Sequence, residues 1–345
     1  MRPCSAATRP CGLAGDPPLR QPQNGFPVHA RLSGRQVLRV SFLAVVLSAV
    51  SVPARRRIGS RIAAYVALTK PRIIELLLVT TLPTMVVAER GLPPLGLVLA
   101  TLVGGALAAG GANAINMYVD RDIDRVMHRT RNRPLVTGAV HPRNGLVFAL
   151  VLEVVAFVEL WLAVNPLAAA LAVSATLFYV FVYTLWLKRT SSQNIVIGGA
   201  AGAVPVLVGW AAVTGTLSWT PLVLFALIFL WTPPHFWALA VRYRDDYRAA
   251  GVPMLPAVAT VAGTARQVFA YSAALVAVSL VLAPVASLGI VYLVGAAVLG
   301  AAFLAMAAEL WMQPSPKVAM RLFRFSITYL TLLFVVMAID IFIGR

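Results

Sequence analysis

The chain of 345 residues is 60% hydrophobic and only 12% charged, with a formal net charge of +17 and a mean hydropathy of +0.83. This balance lies outside the range of soluble globular domains and marks an integral membrane protein. It also argues against a nucleic-acid partner, because the basic residues stand between apolar runs rather than on an aromatic-interleaved surface. Cys4 and Cys11 are the only cysteines and have no His or Cys companions, so neither a disulfide framework nor a cysteine metal site is supported.

Residues 1–58 are rich in Arg, Pro and Gly and end in the basic run Arg55, Arg56, Arg57; a disordered basic tail is expected there. Within it, Val40 to Val52 is an apolar stretch of 13 residues. A span needs roughly 20, so this stretch is expected to lie at a surface, and no small-residue cleavage pattern follows it. Residues 59–345 are expected to form one all-α, polytopic membrane bundle. Its nine apolar runs cover 73–89, 94–118, 144–163, 166–187, 193–213, 219–241, 265–284, 286–310 and 324–343.

With the first span starting in the cytoplasm, 21 Lys and Arg residues fall on the cytoplasmic side and only Arg90 and Arg345 on the other. The positive-inside rule then sets the N-terminus inside and the C-terminus outside the cell (plasma) membrane. External connections are short, as at Asn165 to Pro166, whereas the first and third cytoplasmic loops are long, so function is expected on the cytoplasmic face. Small residues in the second span (Gly104, Gly105, Gly110, Gly111) and the fifth (Gly198, Gly199, Gly202) allow close helix approach.

Five of the seven aspartates fall in two short polar stretches on that face. In the first, Asn116, Asp120 and Asp124 are spaced by four, so a helix continuing out of the second span carries all three on one side. Such a row offers hard oxygen ligands to Mg²⁺, which is held by one or two carboxylates plus substrate phosphates. Asp122 falls on the other side and is expected to pair with Arg125 or Arg129. A solvated turn with exposed ion pairs is the bland alternative. In the second stretch, Asp245 and Asp246 follow the sixth span, and Gly251 and Pro253 end the helix. Adjacent aspartates point about 100° apart, so one of the two faces a shared site. Two acidic loops on one face suit a metal-bound diphosphate, with basic residues neutralising the leaving group.

The segment from Asn116 to Pro134 resembles the signature of the intramembrane prenyltransferases of the UbiA superfamily, in particular its protoheme IX farnesyltransferase (haem O synthase) branch. Further matches are Thr69 to Arg72, Tyr183 to Thr190, Trp231 to Trp237, and Asp245 to Tyr247 with Ala250 to Pro256. The resemblance covers residues 60–345. It implies a nine-helix bundle that binds farnesyl diphosphate through Mg²⁺ and joins the farnesyl group to a vinyl side chain of haem B within the lipid bilayer. A downstream haem-modifying enzyme is a candidate partner. The adjacent Asp245 and Asp246 replace a pair spaced by four in the wider superfamily, a shortened form that looks like the haem branch. Which of the two binds metal stays open, with Asp246 favoured.

On this reading Asn116, Asp120 and Asp124 hold one Mg²⁺, and Asp246, with or without Asp245, a second. Lys188, Arg189, Arg129 and Arg133 are candidates for the leaving group, and Lys70 and Arg72 for the same group or for haem propionates; lipid-headgroup anchoring is the alternative for each. His235 is a candidate contact for haem iron or a propionate, against a buried histidine bonded to a backbone carbonyl freed by Pro233 or Pro234. Trp231, Phe236, Trp237, Phe178, Tyr179 and Tyr183 either line a cavity or pack. Glu75, Glu153, Glu159 and Asp340 sit within spans without an assignable role. A prenyltransferase acting on a quinone precursor and a secondary transporter are the competing readings. The transporter class places its site near the midplane, whereas these acids cluster at one face.

Overall fold

The computed structural model describes residues 54–343. The tail up to Pro53, including the apolar stretch Val40 to Val52, lies outside the described residues, as do Gly344 and Arg345. Among the described residues there are no strands and nine helices long and apolar enough to cross a membrane. They are α2 (Pro71–Glu89), α3 (Leu95–Val119), α5 (Pro142–Ala163), α6 (Pro166–Thr190), α7 (Asn194–Thr214), α8 (Trp219–Arg242), α11 (Val261–Val285), α12 (Ile290–Met312) and α13 (Pro316–Ile343). Their 19 to 28 residues give lengths of about 28 to 42 Å, enough for a hydrocarbon core of about 30 Å.

Local chemistry sets the boundaries. Proline occupies the first helical position of α2, α5 and α6, where its missing N–H is no loss. The Asn165 side chain caps α6 by accepting from the Ala168 N–H at 2.8 Å, and Thr260 caps α11 by accepting from Gly263 at 3.0 Å. Helix α13 begins at Pro316, eight residues ahead of the expected 324, because Lys317, Arg321 and Arg324 lower the hydropathy of its first turns without interrupting the helix.

Helix α1 (Ala54–Thr69) has no counterpart among the elements expected from hydropathy, and it starts inside the stretch expected to lack periodicity. Three short helices also lie outside the spans: α4 (Arg121–Val126), α9 (Arg244–Ala249) and α10 (Leu255–Val258).

Consecutive spans pack as neighbours from α2 round to α13, which returns to pack on α2 and on α8 and closes the bundle. The principal core lies among α7, α8, α11, α12 and α13. Glycines set the closest approaches. A Cβ on Gly209 of α7 would stand 2.9 Å from the Thr81 carbonyl oxygen of α2, and one on Gly111 of α3 would stand 2.6 Å from Glu153 Oε1 of α5.

Two packing groups carry the loops that bear the acids. Leu135 and Val140, in the connection after α4, are buried with Ala64 and Leu68 of α1, Ala114 and Met117 of α3 and Ala149 of α5. Ile123 and Met127 instead share the principal core with Tyr247, Val252 and Leu255 of the α8–α11 connection. Burial of these apolar side chains brings the first and second acidic segments to the same end of the bundle.

Candidate active site

Asp120 sits at the junction of α3 and α4, and the backbone ladder runs through it. Its N–H donates to the Asn116 carbonyl at 2.9 Å, and the Asp124 N–H donates to the Asp120 carbonyl at 2.8 Å. The spacing of four therefore keeps its geometric meaning across the junction. All three side chains are buried, Asp120 completely.

Buried carboxylates and amides need partners, and three basic residues supply them. Lys188, after the fourth span, donates to Asp120 Oδ2. Arg133 donates to Asp124 Oδ2 at 2.7 Å. Lys70 donates to Asn116 Oδ1 at 2.9 Å, and Asn116 in turn donates through Nδ2 to Asp120 Oδ2 at 2.8 Å. Lys70 adopts the left-handed conformation (φ 55°) between α1 and α2, a costly state for a non-glycine residue that here turns its side chain onto Asn116. Burial pushes the Lys70 ammonium well below its ordinary pKa; Arg133 and Lys188 push it further, and Asp120 and Asp124 oppose them. An anion lodged among these cations would relieve that repulsion.

The sequence reading missed Thr184. The fourth span changes character at Phe178, where α6 widens into a π-helix over Phe178–Leu187 before closing at Lys188. Thr184 is fully buried there; its hydroxyl donates to the Tyr179 carbonyl five residues back at 2.8 Å and accepts from Asn116 Nδ2 at 3.1 Å. Single-turn π segments recur at functional sites, and this one delivers both Thr184 and Lys188 to the acidic face. The available signal was a small polar residue between Tyr183 and Lys188, near the end of the fourth span.

Asp122 departs from expectation in its partner. It pairs with Arg189, not with Arg125 or Arg129: two parallel bonds of 2.7 and 2.8 Å join the guanidinium to both carboxylate oxygens. The fork holds the Asp122 carboxyl down at about 2. Arg189 Nη2 also lies 3.8 Å from Asp120 Oδ1, and that oxygen is buried without a hydrogen-bond partner among the described residues.

The second segment closes over the first. Arg129 donates its backbone N–H to Asp246 Oδ2 at 3.4 Å, and its guanidinium lies 5.7 Å from the Tyr243 ring centroid. Asp246 is half-buried and faces the first loop. Asp245 is exposed and pairs with Arg244 and Arg248, each at 3.6 Å. Gly251 (φ 65°) ends α9, and Arg248 donates to the Ala257 carbonyl at 2.7 Å to fix the connection.

Other candidates stand apart from this group. Arg72 is exposed. His235 is buried in α8 and its Nδ1 is 2.7 Å from the Ser326 hydroxyl of α13, so its partner is a side chain and not a carbonyl freed by proline. Its ring stacks between Trp231 at 4.2 Å and Phe323 at 4.6 Å. Trp237 is fully buried in the principal core, whereas Tyr179 and Tyr183 stack on each other at 5.3 Å along the π-helix. Among the intramembrane acids, Asp340 accepts from the Gly289 and Tyr292 N–H groups at 2.5 and 3.0 Å and so caps α12.

Among the described residues no three His, Cys, Asp or Glu side chains form a ready metal cage. The donor set still fits a hard divalent cation that takes few protein ligands and completes its shell with phosphate and water. Asp120 retains one oxygen outside its bonds to Lys188 and Asn116, and Asp246 meets the first loop at the Arg129 N–H.

The model of the UbiA prenyltransferase family matches residues 77–333. The chain belongs to the UbiA prenyltransferase family. It is 54% identical over 299 residues to a protoheme IX farnesyltransferase of Paenarthrobacter aurescens, covering 85% of this chain and 93% of that protein. A protoheme IX farnesyltransferase of Frankia alni is 57% identical over 287 residues, covering 81% and 98%. Among solved structures, a UbiA homologue from Aeropyrum pernix K1 aligns with a TM-score of 0.62 at 20% identity, covering 79% of this chain and 98% of that one. A UbiA homologue from Archaeoglobus fulgidus, solved with GPP and Mg²⁺, aligns with a TM-score of 0.56 at 18% identity, covering 79% and 99%. These two share the fold.

Proposed function

We propose that the protein transfers the farnesyl group of farnesyl diphosphate to a vinyl group of haem B, with addition of water, yielding haem O, diphosphate and a proton. One observation carries this reading: a buried row of Asn116, Asp120 and Asp124 is ringed by Lys70, Lys188 and Arg133, and Asp246 meets the loop that follows the row through the Arg129 N–H. Relatives at 54 and 57% identity named for this activity support the choice of acceptor.

In this reading Asp120, Asp124 and Asp246 hold Mg²⁺ with Asn116 beside them, and Asp245 lies outside the set. Bound Mg²⁺ supplies charge neutralisation to the diphosphate. Lys70, Lys188 and Arg133 bind its oxygens and hold the allylic C–O bond at the membrane end of the site. As that bond breaks, its electron pair leaves with the diphosphate. The vinyl π electrons form the new C–C bond, and water captures the resulting cation and loses a proton. The apolar π-helical segment beside the row keeps water from the allylic cation until the vinyl group has reacted. The acidic loops face the cytoplasm of a cell-membrane protein whose N-terminus is inside, which follows from the bias of Lys and Arg among the connections.

The test is farnesyl transfer by membranes containing the protein, with and without Mg²⁺, in wild type and in Asp120→Asn and Asp246→Asn variants. Loss of transfer on chelation and in both variants supports the reading; full activity of either variant removes that residue from the metal site.

A further inference from the structure

The three aspartates of the first segment are treated unequally. Asp120, completely buried, keeps one oxygen without a hydrogen-bond partner, while Asp122, largely exposed, takes the whole guanidinium fork of Arg189. Arg189 Nη2 also donates to the Val119 carbonyl at 3.3 Å and stops 3.8 Å from the free Asp120 oxygen. That separation is inside ion-pair range but outside hydrogen-bond range. A shift of about 1 Å would bring the guanidinium to charge-assisted bonding distance. Asp120 would then have Lys188 on one oxygen and Arg189 on the other, leaving none for a divalent cation.

We propose that Asp122 is a positioning residue that anchors Arg189 away from Asp120 and thereby keeps the Asp120 Oδ1 open as a metal ligand. The inference rests on the reading of Asp120 as a metal ligand and adds a residue that the spacing of four leaves out. The geometry favours a specific role over a general surface ion pair. The fork is bidentate, its arginine has a second carboxylate within reach, and that carboxylate is the buried one with an unsatisfied oxygen. A partner in the outer shell of a metal site changes metal affinity by about 10- to 100-fold when removed.

The experiment titrates Mn²⁺ into detergent-solubilised full-length protein and follows free Mn²⁺ by electron paramagnetic resonance, so no turnover is needed. Asp122→Ala is expected to weaken Mn²⁺ binding by about tenfold or more. Removing Arg189 as well, in Asp122→Ala/Arg189→Ala, is expected to bring affinity back to within about threefold of wild type, since the arginine can no longer close on Asp120. Asp122→Ala/Arg125→Ala carries the same formal charge as that double variant but keeps Arg189; Arg125 is an exposed neighbour on the same short helix. It is expected to stay weak. Equal rescue by the Arg125 double would reduce Asp122 to a source of negative charge, and no rescue by the Arg189 double would reduce it to local structure. Unchanged binding in Asp122→Ala would also overturn the proposal. An Asp120→Asn variant that binds Mn²⁺ as wild type does would instead overturn the metal-ligand reading on which it depends.

Discussion

Thr184→Val keeps the shape of the side chain and removes only the hydroxyl, at a position where that group makes two buried bonds. The hydroxyl donates to the Tyr179 carbonyl at 2.8 Å and accepts from Asn116 Nδ2 at 3.1 Å, and the residue is fully buried. Asn116 keeps its bond to Asp120, so the change loosens the amide without releasing it. Leaving buried partners short of a bond costs about 1 to 3 kcal/mol. The larger consequence is positional. Asn116 is held from three sides, by Lys70, Asp120 and Thr184, and losing one lets its amide rotate at the centre of the row. A misplacement on the order of 1 Å in a catalytic array costs about 100-fold in rate. The assay compares farnesyl transfer and thermal unfolding in detergent for Thr184→Val and Thr184→Ser. Valine is expected to lower transfer by about 10- to 100-fold while the protein unfolds only a few degrees lower, and serine is expected to restore both. Wild-type transfer by the valine variant, or equal damage in the serine variant, would show that the Thr184 hydroxyl does not position Asn116.

Other changes separate structure from chemistry. Asp340→Ala strips the cap from the Gly289 and Tyr292 N–H groups at the far end of the bundle; thermal unfolding is expected to show a loss of about 2 to 4 kcal/mol, with transfer per folded molecule unchanged. Gly209→Ala would place a Cβ 2.9 Å from the Thr81 carbonyl oxygen, and the backbone there cannot yield as a side chain would. A loss of about 1 to 3 kcal/mol is expected from the same measurement. The Asp122 carboxyl, lowered to about 2 by Arg189, makes a contribution that is full above the ordinary carboxylate pKa of about 3.9 and disappears as pH falls through about 2. The stability difference between wild type and Asp122→Asn, followed by unfolding from pH 3 to 8, should therefore be flat above about pH 5 and shrink below about 4.

The spans were legible because length and apolarity decide them, and bilayer thickness admits few alternatives. The face shared by Asn116, Asp120 and Asp124 was legible too, since helical spacing sets it and two backbone bonds of helical spacing carry it across the junction at Asp120. What escaped the sequence depends on tertiary approach. The partner of Asp122 was sought three or seven residues away and is Arg189, sixty-seven residues on, because α6 is packed beside the acidic segment. The π-helical turn leaves no mark in hydropathy, yet it delivers Thr184 to Asn116. Helix α1 escaped because its arginines dilute the apolar pattern, although Ala64 and Leu68 are buried against α3 and α5. Asp340 had no assignable role in the sequence, and only the placement of Gly289 beside it makes it a cap.

The identity of the acceptor is read from the products themselves. Membranes containing the protein would be incubated with farnesyl diphosphate, Mg²⁺ and, in parallel, haem B or a phenolic quinone precursor, and the products resolved by mass spectrometry. Hydroxyfarnesylated haem is expected from wild type, none from Asp120→Asn, and no prenylated phenol. Prenylation of the phenol with haem left unchanged would contradict haem B as the acceptor.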